Sequence, residues 1–337
     1  MMNKINKTLS AAVGTLLLAG TLMTTAAAAD QVVLKLGYEN NPGEPFDLGC
    51  QKWAELLEKK SNGTMKIELY PSSQLGNKTE IIDSMILGEN TSTLADGAFF
   101  ADRGVKDFGI VFGPFLYETW DEAFNLNKSP WFKEQEQKLV KKGLKIVGAN
   151  WKYGDRHTLT TKPVEKISDF KGLKIRVATS PIYAEGMRVL GCTPTPMPLG
   201  EVYTALQQGT IDGVENPIPV LYNGKFFEVA KYLLLDGHIR NVTNIVVGAK
   251  FFEKLTPEQQ KLLCETCEEA GEYQNSIVDK VSEELLEKMK AQGVKVVDPN
   301  ADFKKDLVEA SKKFYDLEQF TKNWSPNLYK TVKENCR

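Results

Sequence analysis

From residue 32 to residue 100 the chain switches repeatedly between two hydrophobic periods, and that alternation limits it to a small set of folds. "VVLKLGY" carries apolar and β-branched residues at strand spacing and runs into the Gly/Pro/Asn loop "ENNPGEP". "FDLGCQKWAELLEKKSNG" follows, with Leu48, Trp53, Leu56 and Leu57 near helical spacing and Gly63 as a stop. "TMKIELYP" predicts a second strand, "KTEIIDSMILGEN" a second helix and "TSTLADGAFF" a third strand or its exit. A β-α-β-α-β series of this kind builds a mainly parallel sheet with helices on both faces.

A second α/β unit starts at "GLKIVGANW", with "WKYGDRHT" read as the loop that leaves this strand. Strand "LKIRVAT", helix "SPIYAEGMRVLG", the proline-rich "CTPTPMP", helix "LGEVYTALQQG" and the segment "IDGVENP" come next. "NIVVGAKFFEKL" predicts another strand, "PEQQ…EKMKAQG" a long helical region, and a charged helical tail ends the chain. No repeat and no low-complexity linker separates the two units. They are therefore expected as two lobes that the chain crosses between more than once. Loops at the carboxyl ends of the strands, where α/β sheets bind ligands, then face each other across a cleft, which makes a clamp.

The first 29 residues predict a secretory leader. "MMNKINKTLS" has two lysines and no acid, "AAVGTLLLAGTLM" is apolar, and "TTAAAAD" offers cleavage after Ala29. Thr21 stands after "LLAG" where a lipid-anchored protein needs cysteine, and no other apolar run approaches the ~20 residues of a membrane span. Loss of Lys4 and Lys7 takes the formal charge from −2 to −4, with basic and acidic residues mixed throughout. That gives no basis for a nucleic-acid surface. Five cysteines are too few for a disulfide-built scaffold, and Cys264 and Cys267 lie in a helix-like run that lacks the βα setting of redox pairs. With His157 and His238 as the only histidines, a four-ligand zinc site cannot be assembled. No cofactor and no metal is expected.

Motifs of nucleophilic hydrolases, P-loops, zinc proteases and dinucleotide folds are all missing. His157 is the one candidate base, and nothing in the sequence orients it. The arginines say more. In "KGLKIRVATSP", Leu173, Ile175 and Val177 form the apolar face of a strand, while Arg176 points the other way. Arg156 lies 20 residues earlier, in the loop just after another strand, so both can face one pocket. Two converging guanidiniums need an anion, and the planar fork matches a carboxylate two bonds at a time. Asn216, kept extended by Pro217, adds an amide able to donate and accept.

"GLKIRV" followed by "GCTPTPMPLGEVYTALQQGTIDGVENP" closely resembles the substrate-binding proteins of TRAP transporters, DctP-type periplasmic solute receptors. "GDRHTLTTKPVEKISDFKG", "ELYPSSQLGNKTEII" and "FFEVAKYLLLDGHI" fit the same family, in matching order from about residue 32 to 300. The resemblance implies an α/β periplasmic binding protein clamp with mixed sheets and a central cleft. Its lobes are expected as residues 30–153 with 242–281, and 154–241 with 282–337. It implies capture of an organic acid and delivery to large and small membrane subunits, without direct membrane insertion. The family's principal carboxylate partner falls on Arg176, with Arg156 and Asn216 completing the site. Glu39, Asp96 and Lys78 would meet the rest of the solute, and Trp151, Tyr153, Phe99 and Phe100 are candidate walls. Acidic contacts favour a hydroxylated sugar acid such as a hexuronate or aldonate over a C4-dicarboxylate, although Lys78 could meet a second carboxylate. Leu199 and Gly200 stand where relatives often place an aromatic or a serine. The alternatives are an extracytoplasmic enzyme using His157 and a module that senses the solute for a receptor.

Overall fold

The computed structural model describes residues 31–337; the leader expected over 1–29, with its cleavage at Ala29, lies outside the described residues. Nine strands form one mixed sheet: β1 Val32–Gly37, β2 Met65–Tyr70, β3 Thr91–Ala95, β4 Leu144–Thr160, β5 Lys174–Val177, β6 Thr193–Pro196, β7 Gly213–Pro217, β8 Tyr232–Gly248 and β9 Lys295–Val297. The order is β2-β1-β3-β8-β4-β7-β5-β6, with β9 paired to β8. β1, β2 and β3 are parallel, as are β7, β5 and β6. Helix crossovers impose this on both flanks, since parallel neighbours cannot be joined by hairpins.

Between the flanks run β4 and β8, antiparallel strands of 17 residues each. β3 pairs with the carboxyl half of β8, and β7 pairs with the carboxyl half of β4. These two strands therefore belong to both halves of the sheet. They pass from one to the other through register shifts between Lys152 and Gly154 and between Arg156 and Thr158. Bulges of this kind bend a strand and raise its twist. Gly154, at φ +128°, supplies a conformation that a side chain would strain.

One sequence expectation is corrected here, and two features are added to it. Arg156 does not sit in a loop after a strand: "WKYGDRHT" continues β4, because its polar residues are paired on both sides, Arg156 opposite Pro217 and Ile239. The proline-rich "CTPTPMP" forms the edge strand β6, where a missing N–H can face away from the sheet. The expected lobe boundary at 281/282 falls inside one helix, Pro257–Ala291, which a Thr256–Gln259 capping box starts and which runs on through Gly271. At 1.5 Å per residue it is about 52 Å long. Its Leu263, Cys267 and Ala270 join a core with Trp53 and Trp151, whereas Leu285 and Met289 join another with Val214 and Leu233. The carboxyl tail also reaches residues of the first half of the chain. Helix Leu328–Asn335 packs on helices Trp120–Lys128 and Pro130–Val140, and Trp324 Nε1 donates to Lys106 O at 3.0 Å.

Candidate functional site

The carboxyl ends of the parallel strands converge on a narrow chamber of about 20 Å³. Glu39 follows β1, Asp96 follows β3, Ala178 follows β5, Leu199 follows β6, and Asn216 lies at the end of β7. Lys78 opens the helix Lys78–Leu87, which an Asn77–Glu80 capping box holds in place. Tyr153 and Arg156 from β4, and Asn241 and Thr243 from β8, complete the wall where the long strands change halves. Chamber residues thus come from both flanks of the sheet, and the sheet topology determines which ones meet.

The two arginines have unlike surroundings. Arg156 is buried and already paired: Nε donates to Glu215 Oε2 at 2.5 Å and Nη2 to Glu215 Oε1 at 2.8 Å. Its Nη1 donates to Asn241 Oδ1 at 3.1 Å, and the guanidinium lies 5.6 Å from the Phe112 ring and 5.4 Å from that of Tyr183. Burial alone would push the Glu215 carboxyl up, but Arg156 and His238 outweigh it and hold it at about 2. His238 is likewise pulled down by burial and lifted more strongly by Asp236 and Glu215, to about 9. A buried chain of charges, Arg156, Glu215, His238 and Asp236, therefore lies behind the chamber wall.

Arg176 is 3% exposed, and its Nε and Nη2 both donate to Met197 O, at 3.0 and 2.7 Å. Of the three chamber cations it alone has no carboxylate within 4.0 Å among the described residues; Arg156 has Glu215 and Lys78 has Glu39 at 3.5 Å. Burial lowers its pKa against the pull of Glu39 and Glu215. A buried cation without a counter-charge is costly, and an incoming anion relieves the cost. Asn241 adds a second open valence: its Nδ2 is buried with no hydrogen-bond partner.

The other expected residues fall out differently. Glu39 and Lys78 reach the chamber as a pair, with the Lys78 ammonium 5.0 Å from the Phe99 ring. Asp96 lines it too, but both oxygens are engaged: Oδ1 accepts from Ala98 N at 2.9 Å and Oδ2 from Tyr183 Oη at 2.6 Å. Burial raises its pKa against the neighbouring Lys78. Trp151 is not a wall. It is fully buried, 5.5 Å from the Phe46 ring, and its Nε1 donates to Cys267 O at 3.2 Å. The next residue on that face, Tyr153, takes the position in the chamber. Phe99 borders a small void beside Arg176, and Phe100 packs on Phe108.

His157 lies outside the chamber, its Nδ1 accepting from Gly237 N at 3.1 Å, and burial lowers its pKa. All five cysteines are free thiols, and no cluster of metal-ligating side chains occurs among the described residues. Sequence reasoning missed Tyr183, Asn241 and Thr243. Tyr183 lies two residues after Pro181 in the helix that follows the "KIRV" strand, a position at which helical periodicity predicts only packing.

A chamber between two strand flanks, with one unpaired buried arginine and polar groups around it, has the layout of a binding-protein cleft. The sequence profile described as bacterial extracellular solute-binding protein, family 7 (DctP) matches residues 36–323, and the chain belongs to that family. The 2,3-diketo-L-gulonate-binding periplasmic protein of Escherichia coli K12 is 32% identical over 283 residues, covering 84% of this chain and 86% of that one. A TRAP periplasmic solute-binding protein from Ochrobacterium anthropi with bound L-fuconate superposes with a TM-score of 0.87 at 42% identity, over 91% of this chain and all of that one, 100%. One from Actinobacillus succinogenes with bound L-galactonate gives 0.85 at 40% identity, covering 90% and 99%. The protein is a two-lobed TRAP-type solute-binding protein, and the mixed sheet is the one its structural relatives share.

Proposed function

We propose that this receptor captures a hydroxylated sugar acid, of the aldonate or hexuronate type, and hands it unchanged to the large and small membrane subunits of a TRAP transporter. The observation that carries the reading is Arg176, a buried guanidinium with no carboxylate of its own. The solute carboxylate takes its free edge as a bidentate partner. Asn216 and the unpartnered Asn241 Nδ2 lie on the same chamber and bond to the carboxylate or the adjacent hydroxyl. Arg156, neutralised by Glu215, acts as a fixed donor rather than as a second unpaired charge.

One unpaired cation calls for one anionic group. A C4-dicarboxylate would need another, and Lys78 is already held by Glu39. Glu39 and Asp96 accept from hydroxyls and repel a second carboxylate, which fits L-fuconate and L-galactonate, the acids bound by the relatives. The protein acts outside the cytoplasm, after removal of the leader near Ala29. Catalysis has no place in this reading, since His157 faces away from the chamber.

The test is a thermal-shift screen of the refolded, ligand-stripped protein against aldonates, uronates and C4-dicarboxylates. An acid at about 1,000 times its dissociation constant adds ~4 kcal/mol and raises the midpoint clearly. Response to C4-dicarboxylates alone would overturn the sugar-acid reading, and silence to every carboxylate would overturn the anion role of Arg176.

A further inference from the structure

A second and larger cavity adjoins the chamber. It measures about 460 Å³ and shares Glu39 and Leu199 with the chamber as a common wall. Arg156, Arg176 and Asn216 do not reach it. A sugar acid held by its carboxylate on Arg176 would reach this outer recess with its opposite end, C6 of a hexonate, past Glu39 and Leu199.

The recess is built from both flanks of the sheet. On one side are Asn41, after β1, and the pair Ser72 and Ser73, after β2. On the other are Gly200, Tyr203 and the turn at Lys225. Its lining is hydroxyl- and amide-rich with aromatic surface, the chemistry that recognises an uncharged sugar ring. Its charges are balanced: Glu39 is held by Lys78, Glu228 accepts from Tyr203 Oη at 3.0 Å, and Lys225 offsets Glu228.

Two local features mark the recess as more than a gap between loops. Ser72, Ser73 and Lys225 all have positive φ, at 53°, 60° and 57°. Non-glycine residues in that region are strained, and such strain collects where binding needs a particular backbone. The serine pair is pinned there by Ser72 N donating to Asn40 O and Ser73 N to Tyr38 O, both at 3.0 Å. Gly200 is the other feature. No atom lies within 4 Å of where its Cβ would stand, and its φ is not left-handed, so backbone geometry does not demand a glycine. An exposed glycine in the lining adds no side chain to the recess wall.

We propose that the outer recess is a second sugar subsite, so that the protein accepts glycosylated aldonates in which a neutral sugar is joined to the end remote from the carboxylate. This rests on the sugar-acid reading above. The test titrates the protein calorimetrically with D-gluconate and L-galactonate, and with melibionate and lactobionate, gluconates carrying galactose at C6 and C4. Each is repeated with Gly200→Trp, which fills the recess from an exposed position, and with Tyr203→Ala.

The expected result is that melibionate binds at least as tightly as the better simple acid. Gly200→Trp then weakens it tenfold or more and leaves the simple acid within twofold; Tyr203→Ala gives the same split in a smaller amount. Binding of the simple acids with both bionates silent would overturn the subsite and leave the sugar-acid reading standing. Equal losses for both kinds of acid in Gly200→Trp and in Tyr203→Ala would do the same. Silence to all four acids would overturn the subsite, and silence to the hexuronates of the thermal-shift screen as well would overturn the sugar-acid reading with it.

Discussion

Replacing Arg176 by alanine separates the binding role of this residue from any structural one. In the structure its guanidinium is 3% exposed and spends two N–H groups on Met197 O, leaving the remaining donors without a carboxylate. Truncating one partner of a buried, hydrogen-bonded charge pair costs about 2–5 kcal/mol, because the other charge is left desolvated and unpaired. At 1.4 kcal/mol per decade, that is roughly a 30-fold to 4,000-fold rise in the dissociation constant of the bound sugar acid. Arg176→Lys should recover little of it. An ammonium is one point charge and cannot bond Met197 O while presenting two parallel donors to a carboxylate. Calorimetric titration of the stripped protein with the best acid from the screen reads the effect, and the ligand-free melting midpoint controls for folding. A folded Arg176→Ala protein that binds within threefold of the wild type would refute the reasoning, because no other chamber cation lacks a partner.

Other expectations follow from the same geometry. Arg156→Met should cost about 3–5 kcal/mol of stability in denaturant unfolding, since it strands Glu215 in the interior; unchanged stability would show that Glu215 finds another partner. Trp151→Ala should destabilise by about 3–5 kcal/mol while leaving the affinity of the remaining folded protein near wild type, in keeping with a core position; a selective loss of affinity would return Trp151 to the site. His238 has a folded pKa of about 9 against an ordinary 6.5, so its stabilisation is complete below pH 6.5 and lost as pH rises through 9. At ~1.4 kcal/mol per unit those two and a half units amount to about 3 kcal/mol, and His238→Gln should flatten the unfolding free energy over that window. Glu44 is raised to about 7 by burial, so ionising it costs the folded state: stability should fall as pH rises from 4.5 to 7, and a Glu44→Gln protein that keeps this slope would contradict the assignment.

Much of this protein was legible in linear order because its elements are local. Period-two runs became β1, β2, β3 and β5, and amphipathic runs became the helices between them. Backbone hydrogen bonding and the burial of one face act over a few residues, so spacing alone reports them. The motif "KIRV", the "ENP" amide and the acids after β1 and β3 reached the chamber for the same reason: they stand at strand ends, and strand ends of one parallel sheet point the same way. The resemblance to TRAP receptors added what spacing could not, namely the expectation that an arginine on a strand faces a solute.

Other features are decided by partners distant in sequence. Arg156 looks like a loop residue until β7 and β8 are paired on either side of it, and whether its charge is free depends on Glu215, 59 residues away. Trp151 and Tyr153 are indistinguishable by alternation, and both touch Phe46; Cys267, brought in by a helix far along the chain, takes the Trp151 N–H into the core, while Tyr153 lines the chamber. The long helix Pro257–Ala291 crosses the boundary assigned from the sequence because its two ends serve different cores, which no local signal records. The outer recess exists because the serine turn after β2 and the segment after β6 come to face each other. Sequence alone thus determined the elements and the residue types available for binding an acid. Tertiary structure decided which charges are already paired, which aromatics are wall and which are core, and how far the cleft extends, because each depends on contacts between residues the chain order keeps apart.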